Sequence, residues 1–260
     1  MNLLLTGAAG FLGQGLISQL EMHHALRLMD VVSFPTQHPL VIGDVSDLDT
    51  ARKAVDGVDA LIIAHMAPNR PEIYGEPTIP FDVNVKGAAN LFAAAQEGGV
   101  RRVVLISSTS VVGSAMQGEA FVTEETRAEP LSMYALTKAC QETIARHYFA
   151  RHKLPVAILR PACVVDADTV KDKYGQSLKT ENWELIDRRD IGKAAHLALM
   201  LPGLQCEIFH VIGHPAAEGR VDVLRTRERL GWKPDYPFQG AASREMFGNS
   251  PRLAGKCQVS

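Results

Sequence analysis

The sequence predicts an α/β fold: a Rossmann-type, doubly wound parallel sheet covered by helices on both faces, followed by a small C-terminal region. Short aliphatic runs alternate with longer segments of helical periodicity, a rhythm typical of βαβ units. A glycine-rich segment, TGAAGFLG at residues 6–13, follows the first aliphatic run and leads into the first helical segment. With 260 residues, 46% of them hydrophobic, the chain is long enough to bury a full core.

The predicted elements follow from this alternation. Seven strands are expected at Asn2–Thr6, Ala25–Asp30, Leu40–Ile42, Ala60–Ala64, Arg102–Ser107, Pro155–Arg160 and Cys206–Val211. Helices are expected at Phe11–Glu21, Leu48–Val55, Pro80–Glu97, Ser132–His152 and Asp190–Leu201. The proline-containing stretch Pro68–Pro80 and the polar stretch Asp166–Asn182 are predicted loops at the carboxyl edge of the sheet, where such folds bind ligands.

Composition narrows the possible partners. A formal net charge of -2, with no block of basic residues, argues against nucleic acid. No apolar run approaches the roughly 20 residues that span a bilayer, so no membrane partner is expected. The four cysteines show no metal-ligand spacing, and no metal site is predicted. We expect a cytoplasmic protein with reduced thiols.

The glycine-rich segment has the setting of a dinucleotide-binding turn. Gly7 and Gly10 allow a tight turn and a close backbone approach to a pyrophosphate at a helix N-terminus. The GxxGxxG spacing has one residue more in its first gap than the GxGxxG fingerprint. Asp30 ends the second strand; it is either a ligand of the adenosine ribose, favouring NAD over NADP by repelling a ribose phosphate, or a solvated strand end. Asp44 is either a contact of the adenine edge or a turn residue.

Tyr134 and Lys138 stand four residues apart in a predicted helix, so both side chains lie on one face. A nearby ammonium favours the phenolate and lowers a phenol pKa from its usual value of about 10. The spacing therefore predicts a tyrosine that exchanges a proton near neutral pH.

These segments occur in a characteristic order: TGAAGFLG, GDVSD, NVKGAANL, SSTSVVG, YALTK, LRPACVV and LGWKP. In this order the chain resembles the extended short-chain dehydrogenase/reductase family, also called the NAD-dependent epimerase/dehydratase family. The resemblance implies bound NAD and a catalytic group of Ser108, Tyr134 and Lys138. Ser108 takes the serine position because the family counts it five places before the glycine that is Gly113 here; Ser107 and Thr109 are the alternatives.

The resemblance also implies the binding residues. The cofactor residues are Gly7, Gly10, Phe11, Leu12, Asp30, Asp44, Val45, Ala64, His65, Asn84, Tyr134, Lys138, Pro161 and Val164. The substrate residues are Thr109, Ser110 and Cys163. A core role for His65, a helix-start role for Asn84 and a buried thiol for Cys163 are the alternatives for those three. The implied organisation is a single domain, in which residues 1–160 form mainly the NAD-binding core and residues 161–260 add core elements and a small substrate-binding region.

The resulting functional hypothesis is an NAD-dependent oxidoreductase for a small hydroxylated substrate, such as a sugar or sugar acid. The alternatives are an NAD-dependent sugar epimerase and a non-catalytic NAD-sensing regulator. Overall size and the LGWKP ending are most similar to the uronate dehydrogenases, but their substrate residues are not matched. The nearest candidates for their carboxylate-binding arginine are Lys173, Lys179, Arg188 and Arg189. The resemblance further implies a homodimer.

Overall fold

The computed structural model of the chain describes residues 1–68, 70–178, 182–236 and 238. Its main sheet consists of parallel strands β1 (Asn2–Thr6), β2 (Ala25–Asp30), β3 (Leu40–Ile42), β4 (Ala60–Ile63), β5 (Arg102–Ile106), β6 (Val156–Pro161) and β10 (Cys206–Val211). The strand order is β10-β6-β5-β4-β1-β2-β3. The predicted fold class and all seven strands are confirmed, with bounds that differ by one residue at β4, β5 and β6.

Helices cover both faces of this sheet. On one face lie α1 (Phe11–Leu20), α8 (Arg188–Met200) and α9 (Val223–Leu230); on the other lie α2 (Leu48–Val55), α5 (Gly87–Glu97) and α7 (Met133–His152). Side chains along β1 alternate between the two cores, since Leu3 and Leu5 join the first and Leu4 the second. All of these positions are fully buried, as expected for a parallel sheet covered on both sides.

The predicted helix over Pro80–Glu97 is not a continuous α-helix. Pro80 ends the short helix α4, and the next six residues, Phe81–Lys86, form a π-helical segment that leads into α5. Within this segment Asn84 is fully buried, and its side-chain amide bonds to the backbone and to other side chains. A π-helical turn that directs one polar side chain into the interior is typical of functional sites. No periodicity in the sequence indicates such a turn.

The two predicted loops contain regular structure. Pro68–Pro80 includes the short helices α3 (Pro71–Tyr74) and α4 (Thr78–Pro80). In Asp166–Asn182, β8 (Lys171–Asp172) pairs antiparallel with β7 (Cys163–Asp166), which pairs in parallel with β9 (Leu185–Asp187). In the turn that follows β8, the Asp172 carboxylate accepts hydrogen bonds from the backbone N–H groups of Tyr174 and Gln176. The remaining helices are α6 (Gly113–Gln117) and the 3-10 segments Thr109–Val112 and Pro215–Gly219.

The strand order reverses between β1 and β4, the point at which doubly wound sheets open a ligand-binding crevice. Thr6 ties the two strand ends together: its hydroxyl accepts a hydrogen bond from the Ala64 backbone at 3.2 Å and pairs with the His65 ring at 3.0 Å. The glycine turn after β1 therefore lies directly beside the end of β4.

Cys140 and Cys206 are free thiols. Cys257 and Lys179 lie outside the described residues. Within the described ranges, no helix combines the length and apolar character needed to cross a bilayer.

Candidate active site

The glycine turn is built around close backbone approaches. Gly7 has a φ of 71°, and a Cβ added there would lie 2.7 Å from the His65 Cα. A Cβ on Gly13 would lie 2.3 Å from the Gly7 carbonyl oxygen. Gly10 is the N-cap of α1, and Phe11 and Leu12 form its first turn. These glycines keep the crevice at the start of α1 free of side chains, which fits the pyrophosphate of a dinucleotide placed at a helix N-terminus.

Asp30 faces this turn from the end of β2. Its Oδ2 accepts a hydrogen bond from the Ala9 N–H at 2.9 Å, and its Oδ1 accepts one from the Val32 N–H at 3.3 Å. The carboxylate therefore helps to fix the glycine turn. Because each carboxylate oxygen has two acceptor sites, capacity remains for ribose hydroxyls.

Asp44 and Val45, at the end of β3, occupy different environments. Asp44 is exposed, and its Oδ1 accepts the Ser46 N–H at 2.8 Å, as in a turn. Val45 is buried, and its side chain lies only 2.5 Å from where a Cβ on Gly87 would be. Val45 thus packs against the start of α5, next to the crevice.

His65 and Asn84 connect neighbouring segments of the chain through hydrogen bonds. The His65 ring pairs with Thr6 through Nδ1, and its Nε2 lies 3.1 Å from the Val83 carbonyl oxygen. Burial, followed by the charge of Lys138, lowers the pKa of His65 to about 3, so the ring is neutral. Asn84 accepts the Ala67 N–H at 2.7 Å and donates to the Thr137 hydroxyl at 2.9 Å.

Ser108, Tyr134 and Lys138 converge at the carboxyl end of β5. All three are buried, and the Ser108 and Tyr134 side chains form a hydrogen bond. The Ser108 hydroxyl also accepts hydrogen bonds from the Ser110 backbone at 3.2 Å and the Ser110 hydroxyl at 2.9 Å. Lys138 Nζ lies 5.9 Å from the centre of the Tyr134 ring and donates to the Ile106 carbonyl oxygen at 2.8 Å. Thr109 is buried beside Ser108 in the 3-10 segment.

The predicted lowering of the Tyr134 pKa is wrong for this arrangement. Burial and the neighbouring Tyr74 and Tyr174 raise its pKa above the ordinary value, although the hydrogen bond with Ser108 opposes the shift. Desolvation disfavours the charged form of Lys138 as well, and burial followed by the charge of Lys173 lowers the Lys138 pKa to about 7. The site therefore holds a protonated phenol next to an ammonium that titrates near neutral pH.

Two neighbours of Tyr134 come from the predicted loops. Tyr74 was not predicted as a site residue, whereas Lys173 was one of the candidates for binding a substrate carboxylate. The Tyr74 ring, on α3, meets the Tyr134 ring edge-on at a centroid distance of 5.8 Å. Lys173, in the exposed turn that follows β8, places its Nζ 5.6 Å from the Tyr134 ring centre and 5.1 Å from that of Tyr174. Among the other candidates for binding a carboxylate, Arg188 and Arg189 are paired with Asp166 and Asp187.

The remaining predicted residues lie along β6 and β7. Pro161 is the last residue of β6 and is buried. Cys163 and Val164 are in β7, where the buried Cys163 donates its N–H to the Glu184 carbonyl oxygen at 2.9 Å. Ala64 lies beyond β4, next to the glycine turn.

Residues 3–175 match the model of the NAD dependent epimerase/dehydratase family. The chain belongs to this family. A uronate dehydrogenase of Pseudomonas syringae pv. tomato is 34% identical over 167 residues, covering 61% of this chain and 58% of that protein. An uncharacterized UDP-glucose epimerase of Bacillus subtilis is 27% identical over 179 residues, covering 62% of this chain and 55% of that protein. The chain thus spans somewhat more than half the length of the relatives it matches.

A solved structure with bound NAD shares the fold. It is a short-chain dehydrogenase/reductase superfamily protein from Agrobacterium tumefaciens, with a TM-score of 0.78, 22% identity and 95% coverage of both chains. The family resemblance seen in the sequence is confirmed.

Replacing Gly13 by Ala tests the crevice at the start of α1. The new Cβ would lie 2.3 Å and 2.5 Å from the Gly7 and Ala8 carbonyl oxygens, so the backbone must shift. We expect a loss of about 1–3 kcal/mol in the free energy of unfolding, typical of overpacking, and weaker binding of NAD. Urea denaturation and fluorescence titration measure the two quantities. Gly219→Ala, which meets no atom within 4 Å, is the matched control; equal behaviour of both variants would contradict the packing described.

Proposed function

We propose that the protein is an NAD-dependent oxidoreductase acting on a small hydroxylated substrate, a sugar or sugar acid. The observation that carries this proposal is the burial of Ser108, Tyr134 and Lys138 together at the carboxyl edge of the sheet. The glycine turn that fits a dinucleotide lies two strands away, because β4 separates β5 from β1. The family assignment and the names of the relatives support the same chemistry.

Each side chain has a distinct task in this proposal. Gly7, Gly10 and the start of α1 would hold the pyrophosphate, and Asp30 the adenosine ribose. When bound, NAD supplies the acceptor or donor of hydride. Ser108 holds the substrate oxygen by a hydrogen bond, and Tyr134 exchanges a proton with that oxygen. A protonated Tyr134 is the proton donor needed for reduction; oxidation needs a lower Tyr134 pKa, which a positive charge on Lys138 favours.

A sugar acid is the substrate class that the charges favour. Lys138 and Lys173 place two amino groups near the Tyr134 ring, at 5.9 Å and 5.6 Å from its centre. A substrate carboxylate next to Lys173 would be attracted to its ammonium. The relative named uronate dehydrogenase is consistent with such a substrate. We therefore assign Lys173 to the carboxylate of the substrate.

A sugar epimerase is the second candidate, favoured by the relative named as a UDP-glucose epimerase. In that reaction the hydride returns to the opposite face of the same carbon, and Tyr134 would exchange the proton twice. An NAD-sensing regulator has less support, because Tyr134 and Lys138 are both retained at the site.

We further propose a cytoplasmic homodimer, without nucleic-acid or membrane partners. The alanine-rich face of α5 does not by itself support the dimer, because Ala88, Leu91 and Ala95 are buried within one chain. The exposed surfaces of α5 and α7 remain for the partner.

Tyr134→Phe tests the proposed reaction. Purified protein is incubated with NAD and a panel of uronates, neutral sugars and secondary alcohols, and NADH is followed by absorbance. We expect NADH with a sugar acid, and a kcat lower by about 10²–10⁴-fold in Tyr134→Phe, because the proton-transfer group is lost. Tyr148→Phe, which alters a tyrosine stacked on Phe92 farther along the same helix, is the control. NADH formation unaffected by Tyr134→Phe would rule out the assigned role; stereochemical inversion without NADH would indicate the epimerase.

Lys173→Gln tests the substrate class. We expect the Kd of glucuronate for the protein saturated with NADH to rise about tenfold or more, equivalent to about 1.4 kcal/mol, because one ammonium–carboxylate pair is lost. The Kd of glucose, which has no carboxylate, should not change. Calorimetry measures both values without requiring turnover. Lys171→Gln, which alters an exposed lysine in β8 two residues before Lys173, is the matched control. Equal weakening for both sugars would refute the assignment of Lys173 to the carboxylate.

A further inference from the structure

A buried ion pair lies beneath the candidate active site. Glu142 and Arg160 are 0% and 1% exposed, and they form a two-pronged pair with both N···O distances at 2.8 Å. The Ser107 hydroxyl donates to Glu142 Oε1 at 2.7 Å, and Arg146 donates to Oε2 at 3.0 Å. These hydrogen bonds keep Glu142 ionised, since they lower its pKa against the opposing effect of burial.

This pair is joined to the site through three consecutive residues at the end of β5. The Ile106 carbonyl oxygen accepts the hydrogen bond of Lys138 at 2.8 Å, and the next residue, Ser107, is bonded to Glu142 at 2.7 Å. The residue after that is Ser108, which bonds to Tyr134. On α7, Tyr134, Lys138 and Glu142 follow one another at intervals of four, so they share one face of the helix. The end of β5 is thus linked to α7 by hydrogen bonds at three successive residues.

We propose that Glu142 is a positioning residue for the reaction: its buried carboxylate fixes the end of β5 against α7 and maintains Lys138 as a cation beside Tyr134. This inference rests on the proposed function, because it assigns a role in the same reaction. Glu142 itself touches neither the substrate nor the cofactor in this proposal. It acts through Ser107 on the backbone that carries Ser108, and through its charge on Lys138.

The charges around Lys138 give the electrostatic part of this role a definite sign. Glu142 and Tyr134 face Lys138 from α7, Lys173 from the turn that follows β8, and His65 from the end of β4. Burial and Lys173 lower the Lys138 pKa, while Glu142 raises it. Glu142 is therefore the group that opposes the loss of the Lys138 proton at neutral pH. Removing its charge should move the titration of Lys138 to lower pH.

A purely structural ion pair would behave differently. Breaking a buried pair costs stability, because the remaining partner is left with an uncompensated charge. Such a loss changes the free energy of unfolding but leaves the pKa of Lys138 and the pH profile of a folded variant unchanged. The pKa of Lys138 therefore separates a positioning role from a structural one.

The experiment measures the Lys138 pKa by NMR titration of protein labelled with ¹³C at lysine Cε, in the wild type, Glu142→Gln and Ser107→Ala. We expect half-titration of Lys138 near pH 7 in the wild type and about one pH unit lower in Glu142→Gln. The pH profile of kcat/KM should move to lower pH by the same amount. Glu142→Asp, which keeps the charge, should restore the pKa.

Ser107→Ala keeps the Glu142–Arg160 pair and removes only its link to β5, so it tests the geometric part even if Glu142→Gln does not fold. We expect kcat to fall by about fivefold or more, with the Lys138 pKa unchanged. Glu97→Gln, which breaks the exposed pair with Arg52, is the control.

A folded Glu142→Gln variant with the wild-type Lys138 pKa would overturn the electrostatic role, and a Ser107→Ala variant with the wild-type kcat would overturn the geometric role. The NMR titration requires no turnover. A wild-type protein that oxidises no substrate but shows the expected pKa shift would therefore contradict the proposed function and leave the effect of Glu142 on Lys138 standing.

Discussion

The burial of three ionisable side chains on one face of α7 governs the electrostatics of the candidate active site. Tyr134, Lys138 and Glu142 are all packed against the carboxyl end of β5, where water cannot stabilise a charge. Each is compensated differently: Glu142 by Arg160 and Ser107, Lys138 by the Ile106 carbonyl, and Tyr134 by Ser108. Only Glu142 gains a full countercharge.

This difference in compensation determines which of the three side chains stay charged. Proximity alone would make Tyr134 acidic and keep Lys138 protonated, but desolvation outweighs proximity for both, so both pKa values move towards the neutral form. Glu142 moves in the opposite direction, because its hydrogen bonds and ion pairs outweigh burial. The candidate active site therefore has a fixed anion, Glu142, on one side, and on the other a protonated phenol, Tyr134, beside the amino group of Lys138, which titrates near neutral pH. In our proposal, proton exchange at Tyr134 depends on this balance.

Local patterns explain what the sequence could predict. The strands were predictable because fully buried parallel strands are continuous aliphatic runs, and the glycine turn because close backbone approaches at Gly7 and Gly13 require residues without side chains. The i, i+4 spacing correctly placed Tyr134 and Lys138 on one face of a helix. The same spacing extends to Glu142 and could have identified it as a neighbour of Lys138.

The features that the sequence could not predict depend on contacts between segments distant in the sequence. The positions of Tyr74 and Lys173 against Tyr134 depend on how two predicted loops fold back, and neither loop has a periodic pattern. The π-helical segment at Phe81–Lys86 is stabilised by the bonds of Asn84 to other parts of the chain. The sign of the Tyr134 pKa shift could not be predicted either, because a spacing reports the charge nearby but not the water removed.

The pKa of Tyr134 tests this account most directly. Protein labelled with ¹³C at tyrosine Cζ, without added nucleotide, can be titrated by NMR, and Tyr134→Phe identifies its signal among those of the five tyrosines. Because burial dominates the pKa of Tyr134, we expect its phenol to remain protonated beyond pH 10, the ordinary pKa of a tyrosine. A midpoint below about pH 9 would mean that the neighbouring ammonium outweighs burial, and would contradict the account.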